Sequence, residues 1–174
     1  TDGNASTLNQ IRNSLQIYVA RPGVTGIPVG TALVKPTAST PITSFLNVEA
    51  KLDQPGDFGI GVKGNGVAAQ VQVDGVVYTQ TGTTRTAVSK PLNSSGLNVT
   101  TGAAATIGSA QATGAYALFA NARVAFKNSS RLSTNPGAPT GAAGSTGLEI
   151  ALSRASLGIP AAGGVLRVFG LQNN

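Results

Sequence analysis

The stretch that decides the fold is Phe58-Gly59-Ile60-Gly61-Val62-Lys63-Gly64-Asn65-Gly66-Val67-Ala68-Ala69-Gln70-Val71-Gln72-Val73-Asp74-Gly75-Val76-Val77-Tyr78-Thr79-Gln80. Phe58, Ile60 and Val62 share one face of an extended chain and run into Gly64-Asn65-Gly66, a connection suited to positive φ. Val67, Ala69, Val71 and Val73 then alternate with Ala68, Gln70, Gln72 and Asp74, the period of a strand with one buried face. Asp74-Gly75 stands between Val-Gln-Val and Val-Val-Tyr, which reads as a two-residue hairpin turn. The segment is therefore expected to form an antiparallel meander.

Outward from it the pattern repeats. Leu46, Val48, Ala50 and Leu52 alternate with Asn47, Glu49 and Lys51 before the turn chemistry of Gln54-Pro55-Gly56-Asp57. Pro28–Val34, Thr83–Val88, Leu97–Thr101, Ala115–Phe126, Leu148–Leu152 and Val165–Phe169 read as further strands. Residues 6–20 mix two periods: Leu8, Ile11 and Leu15 fit a helix, whereas Leu15, Ile17 and Val19 alternate as a strand. The reading expects a short lead-in over residues 1–14 and then a first strand. The Gly/Ala/Ser/Thr-rich segments 102–114 and 135–147 read as long loops. The expectation is all-β: one antiparallel β-sandwich domain, jelly-roll or immunoglobulin-like, spanning 1–174 with about nine or ten short strands and little helix.

Composition removes many chemistries. The chain has 174 residues with no Cys, Met, Trp or His. That excludes zinc fingers, His-based nucleophile pairs and His-ligated haem. Charged residues are 10% of the chain, against roughly 25% in typical soluble domains. The net charge of +6 comes from twelve basic residues set singly along the chain, with no basic tract and no interleaved aromatic platform. Nucleic acid is thus expected as a partner only if the chain lines a capsid. No apolar run reaches the ~18–20 residues of a membrane-spanning helix. The start at Thr1 is read as following removal of an initiator Met, a signal peptide or upstream sequence.

Few residues are candidates for a site. Glu49, Asp53, Asp57 and Asp74 fall close together in sequence, and two of them could form an acid–base pair. The expectation is instead that they shape turns and pair with Lys51 and Lys63, and that the chain is not an enzyme. Asp53 and Asp57 flank a turn and are the weak calcium candidates, although they match no EF-hand spacing. No other cofactor is expected. An N-terminal nucleophile at Thr1 is formally available. Four Asn-x-Ser/Thr sequons occur at Asn4, Asn93, Asn98 and Asn128.

In the C-terminal third, Gly147-Leu148-Glu149-Ile150-Ala151-Leu152-Ser153-Arg154-Ala155-Ser156-Leu157-Gly158-Ile159 precedes Gly164-Val165-Leu166-Arg167-Val168-Phe169. Its physical reading is an amphipathic strand, a single helical turn capped by Ser153 and closed by Gly158, and a final strand. These residues resemble the "E-x-A-[IL]-P-x-x-x-L-G" strand–turn–strand of exported DOMON-like and family-nine carbohydrate-binding β-sandwiches, with Ser153 where those families usually carry Pro. The resemblance covers about 25 residues and implies a sandwich and export. The families' ligand chemistry does not carry over, because haem-binding members use Met and His and sugar-binding members use Trp or paired aromatics. Tyr78 and Tyr116 are the rings left for a sugar.

The functional expectation is a structural subunit, outside the cell or at its surface, that assembles with copies of itself into a filament, pilus-like fibre or coat. Terminal-strand exchange through Leu15, Ile17 and Val19 is the assembly route this reading favours. The alternatives are an exported carbohydrate- or small-ligand-binding module and a viral or phage coat subunit.

Overall fold

The computed structural model describes residues 14–37, 43–46, 48–65, 70–93, 96–98, 102–128 and 146–173. The chain is mostly β, and every paired strand is antiparallel. The strands are β1 (Ser14–Ala20), β2 (Phe58–Gly64), β3 (Gln70–Thr81), β4 (Thr84–Pro91), β5 (Leu97–Asn98), β6 (Ala105–Thr106), β7 (Arg123–Asn128), β8 (Thr146–Ala151) and β9 (Arg167–Asn173). A 3-10 helix spans Gly114–Phe119. A six-stranded sheet runs β4-β3-β2-β1-β9, with β5 continuing the line of β4 along β3, and a three-stranded sheet runs β6-β7-β8.

The meander of β2, β3 and β4 is present, but its turn is not where the dipeptide signal put it. β3 runs unbroken through Asp74 and Gly75, and Gly75 lies opposite Ile60 of β2 and Lys90 of β4. Glycine serves close packing here: a Cβ on Gly75 would lie 2.8 Å from Leu92 Cδ1 and 2.9 Å from Phe119 Cε2. The hairpin turns seven residues later, where Thr81 pairs with Thr84 and Gly82 takes φ 61° at the first of two loop positions.

The large sheet is covered on both faces, which explains why β2 is buried along its whole length. On the inner face Phe58, Ile60, Val62 and Val73 join Val124 and Phe126 of β7 and Leu118 and Phe119 of the 3-10 helix in one cluster. Phe58 and Phe119 meet edge to face at 5.6 Å. On the outer face Tyr18, Val76 and Tyr78 pack against Ile27, Leu33, Phe45, Val48 and Leu52. Phe45 lies over Gly59 and Gly61, where added Cβ atoms would come within 3.1 Å of its ring.

Apart from Ile27, those covering residues belong to the segments expected as strands at 28–34 and 45–52. Among the described residues this stretch forms only isolated bridges, Ile27 with Gly56 and Ala32 with Lys51. Pro28, Pro36 and Pro55 interrupt ladder formation, and the apolar residues plug the sheet's outer face instead of extending it. The expected strand 115–126 divides into the 3-10 helix and β7, separated by Asn121 at φ 60°. Near the C-terminus, Ser153 Oγ accepts the Ser156 N–H at 2.9 Å, Leu157 N–H donates to Ser153 O, and Gly158 takes φ 64°. A capped turn thus separates β8 from β9.

Candidate functional site

The acidic residues do not converge on a shared ligand. Asp57 is buried and bound to Arg21: the Arg21 Nε donates to Oδ1 at 2.9 Å and the Arg21 N–H to Oδ2 at 2.6 Å. Burial pushes the Asp57 carboxyl above its ordinary value, against the pull of that guanidinium. Asp53 is exposed, and Glu49 pairs with Lys35 at 2.8 Å. The calcium candidates are therefore an exposed carboxylate and one already spent on an arginine. Among the described residues no group of three or more acidic side chains gathers as a metal site. Thr1 and Asn4 lie outside the described residues. The Asn93 side chain holds β3, accepting the Val73 N–H at 2.9 Å and donating to Val71 O, so its amide nitrogen is already engaged.

Asp74, expected to shape a turn, is fully buried in mid-strand. Its Oδ2 accepts the N–H and the Oγ–H of Ser44, both at 2.6 Å, and its Oδ1 accepts Gln72 Nε2 at 2.5 Å. Burial raises its pKa to about 6, opposed by these bonds and by the nearby charge of Lys63. Next to it, buried Gln16 donates to Ser44 O at 2.8 Å and accepts from the Tyr18 hydroxyl at 2.5 Å. A perturbed carboxyl is often a functional sign. This one is sealed from solvent with its oxygens taken by the chain, so it pins the covering segment to the sheet and offers nothing to a substrate.

The rings available to a sugar are also committed. Tyr78 is buried, and burial raises its pKa. Tyr116 is half-buried, with Lys90 Nζ 4.6 Å from its ring centre.

An open feature among the described residues is a seam between the two sheets. Among the described residues β9 pairs only with β1, and β8 only with β7, so each forms an edge of its sheet there. Between them lies a groove of about 490 Å³, floored by Ile17, Val19 and Ile60 and walled by Leu148, Ile150 and Val168. Of the lining residues Leu166 is 37% exposed and Val168 61%, and Val165, next to Leu166 in the chain, is 71% exposed. These are three of the six exposed large hydrophobic residues among the described ones, so the exposed apolar surface concentrates at this edge. Leu15, Ile17 and Val19 lie in β1, paired on one side with β2 and on the other with β9. Exchange through β1 would first have to release two ladders, whereas β9 has one side without a strand partner among the described residues.

The sequence reading named the 165–169 strand without singling out Val165, Leu166 or Val168. The available signal was their run Val-Leu-Arg-Val-Phe, which places apolar residues on both faces of a strand and leaves a single charge. Comparison with family models, curated proteins and solved structures finds no match to this chain.

Proposed function

We propose that this chain is a non-enzymatic structural subunit, built as a β-sandwich, that associates with copies of itself outside the cell or at its surface. The observation that carries the reading is the β9 edge, which has no strand partner among the described residues on its outer side, with Val168 exposed on it and Val165 and Leu166 exposed in the segment that leads into it. A sheet edge carrying exposed apolar side chains is a template for another strand, and folded proteins usually blunt such edges. The opposite edge of the same sheet is blunted: β4 carries Arg85, Lys90 and Pro91. The contrast supports β9 as a surface kept for association. Composition supports an extracellular setting, since the chain has no Cys, Met or Trp to oxidise. The C-terminal resemblance to exported sandwiches supports the same setting.

A second reading, a small-ligand module, rests on the groove. Its lining is aliphatic apart from Phe58 and Glu149, which favours an apolar ligand over a sugar. Electron microscopy of the purified protein separates the readings. Filaments or other assemblies support the structural subunit, closed shells the coat version of it. Dispersed monomers at high concentration contradict it and favour the module.

A further inference from the structure

We propose that two copies of the chain join through β9 itself, antiparallel about a two-fold axis at Val168, so that the two six-stranded sheets become one. This rests on the self-association reading above and specifies its partner surface. A two-fold contact must be self-complementary, because the same patch meets itself. The sequence around Val168, at the start of β9, has that property. Two residues before it, just ahead of the strand, stands Leu166, and two residues after it stands Gly170; Leu166 and Val168 line the groove, and strand alternation sets Gly170 on the same face.

An antiparallel pair centred on Val168 sets Leu166 of each copy opposite the partner's Gly170. Nothing lies within 4 Å of where a Cβ on Gly170 would be, so that position offers a vacancy beside the sheet. Leu166 fills it, and the two Val168 side chains meet over the mouth of the groove. On the other face the register sets Arg167 opposite the partner's Phe169, a cation beside an aromatic ring.

Charge disfavours the alternative junction of β9 with the partner's β4. On a chain of net charge +6 that junction would gather Arg167 with Arg85 and Lys90, and Pro91 lacks the N–H a ladder needs. The β9 pair brings only the two Arg167 side chains, each directed toward a ring.

Engineered cysteines test this register cleanly, because the chain has none of its own. Three variants are compared under mild air oxidation: Val168→Cys, Leu166→Cys and Gly170→Cys, with Arg85→Cys as the β4 control. The register predicts that Val168→Cys links to itself. It also predicts that an equimolar mixture of Leu166→Cys and Gly170→Cys links at least about tenfold faster than Leu166→Cys alone. Two copies of residue 166 would stand four residues apart along the pair, about 13 Å, beyond disulfide reach. Sedimentation of the unmodified chain runs alongside. Self-association with equal linking at all positions, or with linking through residue 85, overturns the β9 pair and leaves the structural-subunit reading standing. A chain that stays monomeric at every concentration overturns both. Val168 is exposed, so its replacement leaves the core unchanged and loss of linking cannot be assigned to misfolding.

Discussion

Ser44 gives both its backbone N–H and its hydroxyl to a single oxygen of Asp74, each at 2.6 Å, across 30 residues of sequence. That contact joins the irregular covering segment to the middle of the large sheet. It converts what the sequence presents as the polar face of a strand into an interior layer. Replacing Asp74 with Ala leaves the Ser44 N–H buried and unpaired. Asp74→Ala is expected to lower stability by about 2–4 kcal/mol in denaturant unfolding, and Asp74→Asn by less, since the amide oxygen still accepts.

The same carboxyl sets a pH dependence. Its folded pKa of about 6 lies above the 3.8 of the free group, so the folded state holds the proton more tightly than the unfolded state. The resulting stabilisation is complete below about pH 4 and is lost as pH rises through about 6. The raised pKa of Asp57 acts in the same direction. Urea midpoints are expected to fall between pH 4 and pH 7, and the fall to shrink in Asp74→Asn.

Gly75 distinguishes a strand from a turn. Ala at this position would place its Cβ against Leu92 and Phe119 at under 3 Å. Gly75→Ala is expected to cost about 1–3 kcal/mol through overpacking. Gly82→Ala, at the real turn with φ 61°, is expected to cost about 1 kcal/mol by backbone strain alone. Thermal unfolding of the two variants checks the ordering.

Arg21 neutralises Asp57 and places its guanidinium 5.7 Å from the Phe58 ring centre. Arg21→Ala leaves a buried carboxylate with only a backbone N–H from position 21. Stability near pH 7 is expected to fall by about 2–3 kcal/mol, with a smaller loss as pH is lowered and Asp57 takes up a proton.

The residues that were readable in the sequence are those whose partners are local or whose pattern is periodic. Val71, Val73 and their alternation marked β3, and Ser153 with Gly158 marked the turn between β8 and β9. Asp74-Gly75 misled because its decisive partners, Ser44, Leu92 and Phe119, are remote or approach from other layers. The 28–34 and 45–52 segments misled because alternation reports which side chains are buried and not whether the backbone finds a ladder. Ala50 and Leu52 needed a sheet face to cover, and β1 to β3 provided it. The exposure of Val168 was illegible for a topological reason. A strand is an edge only by virtue of what fails to pair with it, and β9 returns beside β1 over most of the chain's length.

The central claim, that the exposed β9 edge is an association surface, is tested most directly by sedimentation velocity over a range of concentrations on the native chain and Val168→Lys. Burial of the two Val168 side chains in a paired edge predicts concentration-dependent association of the native chain, weakened at least about tenfold by the lysine, with an unchanged unfolding midpoint. Association unaffected by Val168→Lys, or a native chain that sediments as a monomer throughout, would contradict it.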